Sequence, residues 1–158
     1  EYRKPQCPLV VAIQSYNHQA LLSYYDEGIH NRIFGSPSLL SMAIESNNLE
    51  AVKLLLTIID VDVNQRGMMH DTPLIYNAAS YHQTEVVKML VEIGHCELPK
   101  SKAKGNAESN PLFVASECGY EDIVEFLAPF YKNEIDDDYL AKAKNDQIRE
   151  IELRAKQS

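Results

Sequence analysis

Residues 71–94 read DTPLIYNAASYHQTEVVKMLVEIG, a pattern that predicts two short helices in succession. Thr72 carries a hydroxyl that can cap the first helix, and Pro73 suits the first helical position, where a missing N–H costs nothing. A break near Tyr81 separates the helices, and Gly94 ends the second. Neither helix is long enough to be stable alone in water, so the pair must pack against similar neighbours.

The same pair of helices recurs along the chain. Each copy has an alanine seven residues before a polar residue, and in the first four copies an apolar pair follows that polar residue. The alanines are Ala12, Ala43, Ala78, Ala115 and Ala143, and the polar residues are Gln19, Glu50, Glu85, Asp122 and Glu150. Self-similarity at a period of roughly 30–38 residues, with two helices in each unit, is typical of a solenoid.

These residues resemble the ankyrin repeat, whose pattern runs T-P-L-H-x-A, then G-H-x-E-V-V, L-L and G-A-D-V-N. Here T-P-L is intact from Thr72, V-D-V-N ends at Asn64, and Gly28 and Gly94 end second helices. The resemblance implies an all-α ankyrin-repeat solenoid of stacked helix–turn–helix units joined by hairpin-like loops. We expect one domain over residues 1–158, with five units at approximately 1–35, 36–70, 71–98, 99–135 and 136–158, the first and last degenerate.

The chain departs from the family pattern at several places. No unit keeps the histidine that follows T-P-L, so apolar packing is expected to replace the link that it makes between units. The place between the two helices usually needs a left-handed residue. The residues at this place are Tyr16, Asn47, His82, Gly119 and Gln147. One extra residue between Thr72 and Ala78 predicts that the first helix of the third unit starts early or bulges.

The end of the chain carries its own signals. Pro129 is expected to end or bend the second helix of the fourth unit, and Asp138 is expected to cap the helix that follows. The final unit is short and charged, which suits a cap whose outer face meets water. Its charged residues are Lys144, Arg149, Glu150, Glu152, Arg154 and Lys156.

The net charge of −8 is concentrated in residues 105–138, which hold nine acidic residues and one basic residue. A small basic cluster, Lys100, Lys102 and Lys104, lies just upstream. An acidic surface repels nucleic-acid phosphates and attracts basic peptides. The alternative interpretation is that these acids form a solvated face that keeps the protein soluble and binds no partner.

The cysteines and histidines show no pattern typical of a catalytic or metal-binding site. The three cysteines, Cys7, Cys96 and Cys118, show no spacing typical of a disulfide framework or an activated thiol, and the five histidines are isolated. We therefore expect no enzymatic activity, no cofactor and no metal site. With no signal-like start and no apolar run long enough to cross a membrane, we expect a reducing cytoplasmic or nuclear setting. Nucleic acid, membrane and small-molecule partners are not expected.

Family membership would imply that loop tips and the exposed ends of the first helices line one concave face, which binds another protein or peptide. Candidate partner-binding residues at these places are Phe34, Met68, Met69, Asp71, Ser80, Tyr81, Asn106, Glu117, Ile135, Asp137 and Asp146. The large side chains among them, Phe34, Met68, Met69 and Tyr81, suit apolar anchors, and the acids suit a basic partner. Alternatively, Met68 and Met69 fold back onto a neighbouring loop. We expect the chain to be a monomer.

Two other functions stay open. The chain is alternatively the targeting segment of a larger enzyme or pathogen effector whose catalytic domain is encoded elsewhere, or an architectural spacer or self-association element. The family resemblance also makes Asn64 a candidate for hydroxylation, although a hydrogen-bonded loop asparagine is the favoured interpretation.

Overall fold

The computed structural model describes residues 8–26, 39–57, 61–66, 71–102 and 109–158, the side chains of 25 and 26 excepted. Within these ranges, helices follow one another in pairs and no β-strand is present, only isolated bridges from Arg66 to Pro73 and from Ser101 to Ser109. The helices are α1 Pro8–Gln14, α2 His18–Asp26, α3 Leu39–Glu45, α4 Leu49–Thr57, α5 Leu74–Ser80, α6 Thr84–Glu92, α7 Pro111–Cys118, α8 Glu121–Leu127, the 3-10 helix Ala128–Tyr131, α9 Asp137–Lys142 and α10 Asp146–Gln157.

First helices pack on first helices, and second helices on second helices. Successive contacts join α1, α3, α5, α7 and α9 in one row, and α4, α6, α8 and α10 in another. Each first helix also packs against the second helix of its own pair, as α5 does against α6. This arrangement confirms the all-α class and the stacked helix–turn–helix architecture.

The repeated alanines lie inside the stack. Ala43, Ala78 and Ala115 are completely buried and Ala12 nearly so, and a methyl side chain lets neighbouring helices approach closely. At the place that follows T-P-L, apolar packing is found in three units, where Val10, Ile75 and Phe113 are buried. In the second unit the buried residue is the polar Ser41, and in the last unit Ala141 is exposed. The largest fully buried side chains are Tyr131, Tyr139 and a series of leucines and isoleucines from α1 to α8. Each buried leucine contributes about 1.5–3 kcal/mol relative to an exposed one.

The turn between the two helices of a unit is left-handed, as predicted, in four units. The backbone φ angle is 56° at Tyr16, 50° at Asn47, 57° at His82 and 89° at Gly119. The prediction is wrong for Gln147, which lies inside α10. In the last unit α9 already ends at Lys142, and a short non-helical link of residues 143–145 leads to α10.

The extra residue of the third unit is absorbed before helix α5 and not by the helix itself. Relative to its alanine, α5 begins at Leu74 in the same place as α7 begins at Pro111. Pro73 therefore occupies the cap position, and Thr72, expected to be the cap, instead donates a hydrogen bond of 2.6 Å to the side chain of Asn77. Neither an early start nor a bulge is found.

The C-terminal helices differ from expectation in their details. As expected for Pro129, α8 ends at Leu127 and passes into the 3-10 helix. The cap of α9 is Asp136 and not Asp138, because the carboxylate of Asp136 accepts from the backbone N–H groups of Asp138 and Tyr139. Glu152, expected to face water, is completely buried.

Candidate protein-binding surface

The predicted binding residues divide into those that the structure describes and those that it does not. Phe34, Met68, Met69 and Asn106 lie outside the described residues. The others are Asp71, Ser80, Tyr81, Glu117, Ile135, Asp137 and Asp146.

Three of these residues flank helix α5. Asp71 is exposed just before the helix, Ser80 is its last residue, and Tyr81 follows it. The Tyr81 side chain is 50% exposed and makes no hydrogen bond to any described residue. Because α5 has seven residues with a rise of 1.5 Å each, about 10 Å separates its two ends.

The residues next to Tyr81 are held by contacts between the third and fourth units. The ring of His82 stacks on Tyr120 with 4.0 Å between centroids, and its Nε2 lies 2.9 Å from Asp122 Oδ1. Thr84 donates to the other oxygen of Asp122 over 2.5 Å. Partial burial raises the pKa of Asp122, but the hydrogen bonds from Thr84 and His82 outweigh burial and hold it below its ordinary value. The exposed Tyr81 therefore belongs to a turn that is held in place by contacts of His82 and Thr84 with the fourth unit.

A cleft of about 360 Å³ opens at the other end of α5, between segments 63–66 and 96–101. Its lining combines apolar and charged side chains, among them Val63, Arg66, Leu74, Ile75, Leu98 and Lys100. The side-chain oxygen of Asn64 accepts from the backbone N–H of Glu97 over 2.9 Å and so ties the two walls together. Asn64 thus has the hydrogen-bonding role of a loop asparagine.

One cleft residue is a cysteine, Cys96. Burial raises the pKa of its thiol to about 12, so the reactive thiolate form is scarce at neutral pH. Cys118 is exposed at the end of α7, and both thiols are free.

Three acids of the acidic stretch 105–138 are neutralised by lysines of the same chain. Lys100 Nζ lies 2.7 Å from a carboxylate oxygen of Glu134, while Lys102 Nζ lies 2.5 Å from Asp136 and 3.0 Å from Asp138. The hydrogen bond from Lys102 is the main cause that lowers the pKa of Asp136. Lys100 and Lys102 therefore form one paired surface with these three acids, while Lys104 lies outside the described residues.

Two predicted residues at this end are not placed as expected. Ile135 was expected at an exposed loop tip, but it is only 2% exposed and belongs to the core, whereas its neighbour Asp136 faces outward. Asp146 was expected at the end of a first helix, but it begins α10, where Arg149 Nη1 lies 2.5 Å from its carboxylate. Asp137 is exposed in the first turn of α9.

Glu117 lies near the end of α7, partly exposed. Its place relative to the repeated alanine is the same as that of Ser80 in α5. Ser80, Tyr81 and Glu117 thus lie where the sequence predicted them, at the ends of the neighbouring first helices α5 and α7.

Sequence reasoning missed a series of side-chain amides that join the units. The amide of Asn48 donates to the backbone oxygen of Ile13 over 3.0 Å, and that of Gln83 donates to the backbone oxygen of Ile44 over 2.7 Å. Both amides stand five residues after the repeated alanine, as does Asn17. Three amides at one place of the repeat are a signal that the sequence contains.

The described ranges contain no helix that is both long and apolar enough to cross the hydrocarbon core of a bilayer. Within the same part of the chain, no three His, Cys, Asp or Glu residues come together in a way that would hold a metal ion.

The stack of helix pairs joined by short turns defines a helical repeat solenoid. The family model of ankyrin repeats matches residues 40–138 as three copies. The chain therefore belongs to the ankyrin-repeat family, whose members generally act in protein–protein interaction and are typically non-catalytic. The search of curated proteins found no match.

Proposed function

We propose that the chain binds a partner protein or peptide along the α5 surface, defined as Asp71, the cleft at the start of α5, Ser80 and Tyr81. The observation that carries the proposal is Tyr81. Its ring is half exposed and makes no hydrogen bond to a described residue, and the adjacent His82 is held by stacking on Tyr120. Because the backbone there is already fixed, little conformational entropy is lost when a partner covers the ring. Tyrosine is among the residues enriched in the energetic centres of interfaces.

The dimensions of the α5 surface suit a short extended segment. The ends of α5 are about 10 Å apart, which about three residues of an extended strand span at 3.3 Å each. One apolar side chain of such a segment would fill the cleft beside Leu74 and Ile75, and the segment would leave the surface over Tyr81. Phe34, Met68, Met69 and Asn106 remain proposed contacts.

The charges around the α5 surface favour a partner with basic residues. Asp71, Glu117 and Asp137 are the acids that we propose to engage them, since Asp71 and Asp137 are exposed and Glu117 is partly exposed near the end of α7. Such exposed charges raise the association rate more than the affinity. We propose that the chain binds as a monomer.

The experiment that tests the binding face is site-specific photo-crosslinking. A photoreactive phenylalanine analogue replaces Tyr81 in one protein and Phe130 in another. Phe130 is the matched control because its side chain is equally exposed, at 50%, but belongs to the 3-10 helix after a second helix. Both proteins are irradiated in the same extract, and the products are identified by mass spectrometry.

The proposal predicts one protein that is crosslinked through position 81 and not through position 130, and that is displaced by excess unlabelled chain. Equal yields at the two positions, or a specific product only at position 130, would place the partner on another face.

A further inference from the structure

The last helix contains a buried carboxylate. Glu152 lies on the face of α10 that also carries Ile148, Ile151 and Ala155, and its side chain is completely buried. Neither of its oxygens makes a hydrogen bond to a described residue. The hydroxyl of Ser116, also completely buried, has no hydrogen-bond partner among the described residues either.

The surroundings of Glu152 provide little to stabilise a negative charge. Helices α8 and α9 and the 3-10 helix pack against α10, and their buried residues are the apolar Ile123, Val124, Leu127, Ala128, Tyr131 and Tyr139. The Ser116 hydroxyl of α7 and the Tyr139 side chain lie close enough to Glu152 to interact with it. Among the charged groups of α10 itself, Arg149 is the one that acts on Glu152, but its guanidinium donates to the Leu140 oxygen and to Asp146. Of the three acids of α8, Glu121 is engaged by Asn145 and Asp122 by His82, and Glu125 is exposed.

We propose that Glu152 makes the packing of α10 on the stack sensitive to pH, so that the helix is held firmly with a protonated carboxyl group and loosens when the proton is lost. The neutral acid carries an O–H group that can donate to the hydroxyl oxygen of Ser116, whereas the ionised form would place a negative charge in the core with no cation within salt-bridge distance among the described residues. Loosening α10 exposes the apolar side of α8, which α10 otherwise covers at this end of the stack.

The direction of the effect follows from the cost of burial. Desolvation raises the pKa of Glu152 above its ordinary value of 4.5, and the nearby Ser116 hydroxyl and Arg149 only partly oppose this. A group whose pKa is raised on folding contributes its full stability below the unfolded pKa. The firm packing of α10 is therefore complete below pH 4.5 and is lost as the pH rises through the raised pKa.

Amide hydrogen exchange of the full chain tests the proposal. Protection of the α10 amides, corrected for intrinsic exchange, is followed from pH 4.5 to 8 in three proteins: wild type, Glu152→Gln and Glu150→Gln. Glu150 is the matched control, since its exposed side chain is on the same helix and loses the same charge. Helix α5 serves as the internal reference.

At pH 8, α10 in Glu152→Gln is expected to be protected about threefold or more above wild type, and at pH 4.5 the two should agree. Glu150→Gln should follow wild type throughout. Equal protection of wild type and Glu152→Gln at pH 8, or the same gain in Glu150→Gln, would overturn the proposal. A carbon-13 titration of the wild-type Glu152 carboxyl must have its midpoint above pH 4.5, and a midpoint at or below that value would also overturn it.

Discussion

Replacing Asn48 by alanine tests how one side chain joins two units. Asn48 is only 2% exposed. Its oxygen accepts from the backbone N–H of Ala51 over 3.1 Å and lies 3.0 Å from the ring nitrogen of His18. Its amide group donates to the backbone oxygen of Ile13 in the preceding unit over 3.0 Å.

The expected cost follows from these contacts. Loss of the cap bond to Ala51 costs about 1 kcal/mol. Loss of the bond to Ile13 adds about 1 kcal/mol and not the full penalty of an orphaned carbonyl, because Tyr16 still donates to that oxygen over 3.3 Å. With the lost contact to His18, Asn48→Ala should reduce the free energy of unfolding by about 2–3 kcal/mol.

The chain offers a matched control in Asn17, which holds the same place in the first unit. Its oxygen accepts from Ala20 over 3.0 Å, but its amide group reaches no other described unit. Asn17→Ala should therefore cost only about 1 kcal/mol. Both variants are compared with wild type by urea denaturation followed by circular dichroism. Equal losses in the two variants would refute the claim that the Asn48 amide joins the units.

Two further substitutions test local packing and charge. At Gly94, an added Cβ would lie 2.7 Å from Val63 Cγ2 and 2.9 Å from the backbone oxygen of Leu90, so Gly94→Ala should cost about 1–3 kcal/mol in urea denaturation; an unchanged midpoint would contradict the close approach. Asp122→Asn should cost less than about 1 kcal/mol at neutral pH, because His82 and Asp122 are both about half exposed. Folding lowers the pKa of Asp122, so its contribution to stability is present above the ordinary value of 3.8 and is lost as the pH falls through the lowered pKa. A stability difference between Asp122→Asn and wild type that persists at pH 2 would contradict this account.

The sequence predicted the helices because their signals are local and repeated. The spacing of Ala43, Ala78 and Ala115, together with the left-handed place at Asn47 and His82, sets each unit by contacts within a few residues. The start of α5 was predicted incorrectly because the helix begins four residues before Ala78, as α1, α3 and α7 begin four residues before their alanines. The extra residue then falls in the connection, where the sequence carries no comparable signal.

The candidate site was less accessible to sequence reasoning, because burial depends on contacts between units. Ile135 follows the charged residue Glu134 and precedes an acidic run, and its position in the core is set by packing that its neighbours do not reveal. The burial of Glu152 could have been predicted, because it stands four residues after Ile148 and three before Ala155, on one helical face. Its charge led to the opposite expectation.

The affinity of the partner for two single variants tests the central proposal most directly. Once crosslinking has identified the partner, its dissociation constant is measured with wild type, Tyr81→Ala and Phe130→Ala, each shown to be folded by circular dichroism. If the α5 surface binds, Tyr81→Ala should weaken binding about tenfold or more, equivalent to about 1.4 kcal/mol, and Phe130→Ala should change it less than about twofold. An unchanged affinity for Tyr81→Ala, with a large loss for Phe130→Ala, would contradict the proposal.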